Sequence, residues 1–325
     1  MVGRSVIGLL SRRLLALPPI LLVMSALIFA VLSLGPSPMA HLLEVANLAP
    51  AEIQKLAHQN GWDLSPARQY LRWLGSVLHG DPGMSIRTFR PAAEMIGERL
   101  PLTLTIASIS LFLSVGIGVP LGAYCAARAN SHIDYATTFM TLALMAMPGF
   151  LMALVLQLSA VKLRDVFGDV IFYTSGTPES GASPIEWLQR LTLPIITLTL
   201  THIAVWTRYQ RGELLNVLGE QYIVCARAKG IPAKTIFLKH AMRNALLPII
   251  TLVAIDMGKL VAGAVVVESV FGLPGIGTLL LDSVNGNDAV VVLDILMLVG
   301  VMMVLCNALA DLAYGALDPR VRVEG

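Results

Sequence analysis

The chain of 325 residues has little charge and little cysteine. Only 14% of its residues are charged and 56% are hydrophobic, whereas soluble domains usually carry about a quarter charged residues. This composition argues against a soluble protein and favours the lipid bilayer as the solvent of most of the chain. The three cysteines, Cys125, Cys225 and Cys306, show no paired spacing, so neither a disulfide framework nor a metal knuckle is expected.

The common catalytic motifs are also missing. A phosphate-binding P-loop needs a glycine-rich turn that ends in Gly-Lys-Ser or Gly-Lys-Thr, but the pair Gly258-Lys259 is followed by Leu260 within an apolar run. The motifs H-E-x-x-H, C-x-x-C and G-x-S-x-G do not occur. We therefore expect no catalytic residue, no metal site and no resident cofactor in this chain. A net charge of only +2 predicts no nucleic-acid partner.

Long apolar runs are what the sequence has instead. A helix that crosses a hydrocarbon core of ~30 Å needs roughly 20 mainly apolar residues. Six such runs lie near residues 14–34, 102–126, 136–160, 189–207, 247–267 and 289–310. They predict an all-α integral membrane protein with six transmembrane helices in one domain, 1–325. The first run has a cleaved signal peptide as its alternative, but its length favours a retained helix.

Basic residues set the predicted orientation, because Lys and Arg accumulate in short cytoplasmic loops. If both termini are cytoplasmic, the two short outer loops hold only Lys162 and Arg164. The inner segments then hold Arg4, Arg12, Arg13, Arg128, Arg208, Arg211, Arg227, Lys229, Lys234, Lys239, Arg243, Arg320 and Arg322. On this topology residues 35–101 form a helical outer insertion between the first two transmembrane helices, and residues 208–247 form a cytoplasmic loop.

The outer insertion is predicted to contain two amphipathic helices, at 49–59 and 66–78. In the second, Tyr70 and Trp73 fall on an apolar stripe at helical spacing, opposite Arg68 and Arg72. Such aromatic residues are more often packing or interfacial anchors than parts of a ligand site. The acidic outer loop 161–187 is expected to be irregular.

The cytoplasmic loop reads as two helices joined by a glycine corner. Ile223, Ala226 and Arg227 lie at helical spacing before Gly230, and Pro232 begins the next helix. Ile236, Phe237, His240 and Ala241 share a face of that second helix. Residue patterns alone leave two interpretations open, a basic amphipathic loop on anionic lipid or a docking surface for a partner.

Several stretches resemble one family of transporters. They read A-R-A-K-G at 226–230, H-A-M-R-N-A-L-L-P at 240–248, V-E-S-V-F-G-L-P-G-I-G at 267–277 and D-L-A-Y-G-A-L-D-P-R-V-R at 311–322, with Y-L-R-W-L-G, G-M-S-I-R and E-R-L-P in the outer insertion. Together they resemble the permeases of binding-protein-dependent ATP-binding-cassette (ABC) importers, in the oligopeptide and dipeptide branch, and among these the B-type subunits of oligopeptide permeases. Val224 departs from the acidic residue of the wider family hallmark, which puts in doubt a contact by an acidic side chain there.

The resemblance implies a type I ABC-importer permease fold in a bacterial plasma (inner) membrane, and it implies the partners. A cytoplasmic ATPase binds ATP and Mg²⁺ and receives the helix around 220–230. A homologous second permease subunit completes a heterodimer, and an extracytoplasmic substrate-binding protein delivers a short peptide as substrate. Membrane lipid surrounds the complex. The coupling residues implied are Tyr222, Ala226, Arg227, Lys229 and Gly230.

Asp256 and Lys259 are ionisable residues within an apolar run, three positions apart on one helical face. Charges inside a membrane are costly and often functional, so the pair is a candidate for lining the translocation path. Mutual neutralisation in a subunit interface is the alternative. Dipeptide, glutathione or nickel remain alternative cargoes, and an ion-coupled secondary transporter, or a membrane enzyme or sensor, is the alternative class.

Overall fold

The computed structural model describes residues 2–35, 50–177 and 181–317, and within those ranges every regular element is helical apart from one isolated bridge between Met84 and Pro91. The helices are α1 (Val2–Leu32), α2 (Pro50–Asn60), α3 (Pro66–Leu78), α4 (Ala92–Ala127), α5 (His132–Ala146), α6 (Gly149–Phe167), α7 (Pro184–Leu218), α8 (Gln221–Ala228), α9 (Ala233–Thr235), a π-helical turn (Ile236–Ala241), α10 (Met242–Phe271), α11 (Ile276–Asn285) and α12 (Ala289–Leu317).

Four helical stretches in the described ranges are long and apolar enough to cross a membrane. They are Ala92–Ala127, Pro184–Leu218, Ala233–Gly258 and Ala289–Ala310. Two bent helix pairs, α5 with α6 and the end of α10 with α11, raise the number to as many as six if each pair is one span. The apolar part of α1 that the structure describes, Leu17–Leu32, is a shorter helix. The chain is therefore an all-α integral membrane protein.

The third predicted span, 136–160, is not one straight helix, because α5 and α6 meet at an angle of 103°. Met147 at the junction has extended backbone angles (φ −84°, ψ 121°), and Pro148 precedes the first residue of α6. A residue that precedes proline is pushed out of the helical region, and proline has no N–H to continue the helical hydrogen bonds. The predicted run 136–160 is therefore divided between two helices, which together pass as one bent span.

The predicted loops are shorter than expected at several places. Helix α7 continues to Leu218, so the first part of the predicted loop 208–247 is the end of a 35-residue helix. Helix α6 likewise continues to Phe167, inside the loop predicted at 161–187. The two predicted helices of the outer insertion are confirmed as α2 and α3.

The two longest helices, α4 and α7, pack side by side through glycine. A Cβ atom at Gly122 would overlap the carbonyl oxygen of Thr207, and one at Gly118 would lie 2.8 Å from the Cβ of Trp206. Small residues at a spacing of four let two backbones approach this closely. Gly258 does the same for α10, where a Cβ would lie 2.9 Å from the Cα of Met303 in α12.

A buried carboxylate stabilises the bend between α10 and α11. Glu268, near the end of α10, is completely buried. Its Oε1 accepts a hydrogen bond from the Thr103 hydroxyl (2.6 Å), and its Oε2 accepts one from the Gly277 N–H (2.7 Å). A Cβ on Gly275 would overlap the carboxyl group of Glu268. The glycines of the 267–277 stretch are therefore needed to bring the first turn of α11 onto this carboxylate.

Helix α3 lies against the ends of α1 and α12. The Tyr70 hydroxyl is 2.9 Å from the Oγ of Ser25, and the Trp73 Nε1–H donates to Asp294 (3.3 Å). In the loop before α4, the Ser85 hydroxyl donates to Asp288, at the start of α12. The predicted aromatic stripe therefore packs against the membrane helices. We call the end of the bundle where α3 contacts α1 and α12 the α3 end.

Gly122→Ala tests the α4–α7 contact. The added Cβ would meet the backbone of α7, which cannot move aside as a side chain can, and overpacking of this kind typically costs about 1–3 kcal/mol. We expect a lower unfolding temperature of the detergent-purified chain. Gly116→Ala is the matched control on the same helix, because a Cβ there meets nothing within 4 Å. Equal melting temperatures for the two variants would contradict the contact.

Candidate coupling surface

Helix α8 lies at the opposite end of the bundle from α3, directly after α7. Its residues Ile223 and Ala226 point inward, with 0% and 9% of their surface exposed, and the spacing of three puts both on one helical face. They join a buried cluster that holds the ends of α4 and α7 and the start of α10. The cluster consists of Ala123, Ala126, Leu214, Ile223, Ala226, Ile236, Ala241 and Ala245.

The glycine corner after α8 has the geometry that the sequence predicted. Gly230 has φ +73°, which residues with a side chain rarely adopt. Its N–H donates to the carbonyl oxygen of Arg227 (3.0 Å), and the N–H of Ile231 donates to that of Ala226 (3.3 Å). This pair of bonds is the Schellman motif that terminates helices at glycine. It satisfies two of the last carbonyl groups of α8 and reverses the chain.

The chain after the corner returns to the same cluster. Pro232 precedes α9, and the π-helical turn follows before α10 begins. Ile236 and Ala241 are buried, as their shared face predicts, while Leu238 is 54% exposed. The helix, corner and second helical segment therefore form one packed unit on the ends of α4 and α7.

A hydrogen bond also ties the start of α8 to α10. The Asn244 Nδ2 donates to the Tyr222 hydroxyl at 2.6 Å. The ring of Tyr222 is 42% exposed, so its polar tip is held while one side of the ring remains open. Asn244 belongs to the H-A-M-R-N-A-L-L-P stretch, and its role in positioning Tyr222 was not predicted from the sequence.

The outward face of α8 is partly apolar and basic, and we call it the coupling surface. It consists of Tyr222, Val224, Cys225, Arg227, Lys229 and Gly230, all exposed. Lys234, Lys239 and Arg243 add further exposed positive charge beside it, and Glu220 is an exposed acid. Of the five predicted coupling residues, four lie on this face, and Ala226 lies on the buried face. The surface therefore combines an aromatic ring and an aliphatic side chain with positive charge.

The candidate path residues lie in α10. Asp256 is half-buried, and the side chain of Lys259 lies outside the described residues. His202 in α7 lies close enough to Asp256 to interact with it electrostatically, and sequence reasoning missed it. The available signal was an ionisable residue within the apolar run predicted at 189–207, since such residues in a membrane span are often functional.

An ion pair between α5 and α7 was also missed. Asp134 at the start of α5 is 1% exposed, and both of its carboxylate oxygens accept hydrogen bonds from Arg211, at 2.5 and 2.7 Å. The sequence analysis counted Arg211 only as an inner charge. The 77-residue separation of the partners gives no local signal that they meet.

No group of three or more His, Cys, Asp or Glu residues that could hold a metal ion occurs in the described ranges.

The apolar helices and their packing define a class of protein, a multi-pass membrane permease. Residues 118–323 match the family described as binding-protein-dependent transport system inner membrane components, and the chain belongs to this family. It is the permease component of an ABC importer, and such importers in general also contain an ATPase and a substrate-binding partner.

Two relatives resemble the chain over nearly its whole length. The oligopeptide transport system permease protein AppB of Bacillus subtilis is 35% identical over 314 residues, which cover 95% of this chain and 98% of that protein. The oligopeptide transport system permease protein OppB of Mycobacterium tuberculosis is 35% identical over 322 residues, with 97% and 99% covered. The resemblance therefore includes the insertion between α1 and α4 as well as the family core.

A solved structure of the MetNI methionine ABC transporter in an inward-facing conformation has the same fold. It aligns with a TM-score of 0.53 and 19% identity, and the match covers 69% of this chain and 96% of that one. The type I ABC-importer permease fold expected from the sequence is thus confirmed. At this identity the likeness concerns the fold alone.

Ile223→Ala tests the packing that holds the coupling surface. Removing a buried isoleucine side chain costs about 2–5 kcal/mol, so the backbone amides of residues 221–231 are expected to exchange hydrogen for deuterium much faster. Val224→Ala is the matched control, because the neighbouring Val224 is 56% exposed and should leave the exchange unchanged. Equal exchange in both variants would contradict the packing of α8 on the cluster.

Proposed function

We propose that the chain forms half of the translocation path of an ATP-driven importer of short peptides and that its coupling surface docks on a cytoplasmic ATPase. The observation that carries the docking is the construction of α8. One face is buried on the membrane helices and the other is exposed, apolar and basic. ATP and Mg²⁺ are bound and hydrolysed by that partner, and this chain holds no cofactor of its own.

The exposed face favours a protein partner over a lipid surface. A helix that rests on anionic lipid buries its apolar face in the membrane and leaves its charged face in water. Here the strongly apolar face is already buried in the protein, and Tyr222 and Val224 lie among cations on the other face. An exposed aromatic ring beside arginine is typical of the residues that anchor protein interfaces. The Asn244 bond holds that ring ready for contact.

The corner at Gly230 supports docking in a cleft. A Cβ at this position would meet nothing within 4 Å in the chain itself, so the corner is the open tip of the packed unit. A rigid tip of this kind loses little conformational entropy on binding. We place it, with both chain termini, on the cytoplasmic side of a bacterial inner membrane, in agreement with the basic residues around it.

The remaining partners follow from the family. A homologous second permease completes a heterodimer around the path, and an extracytoplasmic binding protein delivers cargo near the α3 end. Short peptides are the proposed cargo because the AppB and OppB relatives are named as oligopeptide permeases. Asp256 and Lys259, as candidate path residues, would offer a carboxylate and an ammonium group to the two charged ends of a peptide. Dipeptide, glutathione and nickel are the competing cargoes.

The assembly can be tested by purification of the tagged chain from its native membrane in mild detergent. We expect an ATPase, a similar permease and a lipid-anchored binding protein to co-purify, as identified by mass spectrometry. A chain that purifies alone and transports solute when reconstituted would instead be a secondary transporter. Uptake of nickel or glutathione, without uptake of a labelled short peptide, by the reconstituted complex would refute the peptide cargo.

Gly230→Leu tests the docking. The leucine side chain would project from the open tip and strain the left-handed backbone, which costs an L-residue roughly 1–2 kcal/mol. We expect peptide uptake and ATPase association to be lost while the amount of permease in the membrane is kept.

Two further variants separate the causes. Gly230→Asn keeps the backbone, because asparagine tolerates this region, but still adds a side chain at the tip; a partial loss of uptake is expected. Gly219→Ala is the control, since Gly219 has φ −83° and alanine fits there. Normal uptake and normal assembly of the Gly230→Leu variant would refute the docking assignment.

A further inference from the structure

The Asp134–Arg211 ion pair is built differently from the other ion pairs that the structure describes. Its carboxylate side chain is 1% exposed and its arginine side chain 30% exposed, whereas the acidic side chains of the other described pairs are 28% to 56% exposed. Arg211 uses two nitrogens, Nε and Nη2, one on each carboxylate oxygen. Such a two-point contact fixes orientation as well as distance.

The carboxylate is further fixed by the backbone around it. The N–H of Asn130 donates to the Oδ2 of Asp134 (2.9 Å), and the N–H of Asp134 donates to the Ser131 hydroxyl that caps α5 (3.3 Å). Asn130 itself has φ +64°. The turn between α4 and α5 is thus shaped around one side chain, and α5 cannot shift relative to this turn without breaking these bonds.

Arg211 stands where three helices meet. A Cβ on Gly122 of α4 would lie 3.1 Å from the backbone nitrogen of Arg211. The main chain of Arg211 therefore packs against α4, and its side chain contacts α5. Leu214, three residues further along α7, is completely buried in the cluster that carries Ile223 and Ala226 of α8. Arg211 therefore lies one helical turn from the buried cluster on which α8 packs.

We infer that the Asp134–Arg211 pair is the joint that transmits movement of the coupling surface to α5 and α6. The two are positioning residues and touch neither cargo nor nucleotide. When the ATPase moves α8, the end of α7 moves with it through the buried cluster, and the two-point bond carries α5 along. Helix α6 follows α5 through the 103° bend, and its Ala153 and Ala160 pack in the core with α7 and α10. The inference rests on the proposed function.

The free-energy cost of breaking the Asp134–Arg211 pair is consistent with this role. An exposed ion pair is worth little, but removing one partner of a buried pair leaves an uncompensated charge. Loss of the Arg211 charge would therefore leave the buried Asp134 carboxylate without its partner. Lysine in place of arginine would keep the charge and lose the two-point geometry.

The test uses the whole complex, reconstituted in liposomes with its ATPase and binding protein, and measures peptide transported per ATP hydrolysed. For Arg211→Gln we expect normal assembly and continued ATP hydrolysis, but a transport ratio lower by roughly tenfold, within the range typical of coupling between sites. Arg211→Lys is expected to fall between that variant and wild type. The exchange Asp134→Arg with Arg211→Asp should restore part of the ratio. Arg164→Gln, which removes an exposed cation of α6, is the control and should behave as wild type.

The outcomes separate this inference from the function on which it rests. Wild-type complex without ATP-driven uptake would overturn both. Wild-type uptake together with an unchanged transport ratio in Arg211→Lys and Arg211→Gln would overturn the joint alone. If Arg211→Gln fails to assemble, Arg211→Lys decides: a normal ratio means that the pair only stabilises the fold, and a reduced ratio with normal assembly supports the joint.

Discussion

The contact on which the rest of the structure depends is the close packing of α4 against α7. Gly118 and Gly122 remove the side chains that would hold the two backbones apart, and in lipid such contact must supply what the hydrophobic effect supplies between helices in water. The two helices run in the same direction, so their ends meet at one side of the bundle. Leu214 of α7 and Ala123 and Ala126 of α4 together form the seat on which α8 rests.

One face of α8 packs on this cluster and the other face is exposed. A partner that bound the exposed face would therefore act directly on α4, α7 and α10. Polar bonds extend the same unit: Asn244 holds Tyr222, and Arg211 holds Asp134. At the other end Glu268 ties α4, α10 and α11 together through Thr103 and Gly277. Polar bonds therefore connect the helices at both ends of the bundle.

Periodic features of this chain could be predicted and singular ones could not. Helix α3 was predicted with its observed bounds of 66–78, because an amphipathic stripe and a leading proline define it locally. The corner at Gly230 was predicted because glycine commonly ends a helix and Pro232 begins the next one. Pro148 marks a position where a helix can start or kink, but the apolar residues on both sides of it do not record the direction of the second helix. The path candidates, Asp256 and Lys259, remain predictions.

The sequence by itself determined the solvent, the apolar helices, helix α8 with its glycine corner, and the family, because each of these depends on residues that are neighbours along the chain. Only the tertiary structure decided which face of α8 is open, that Ala226 packs inward, and that the carboxylates of Glu268 and Asp134 have partners within the chain. These facts depend on partners separated by up to 165 residues. Whether a polar group in a membrane helix is satisfied is settled by what packs against it, and local sequence carries no record of that neighbour.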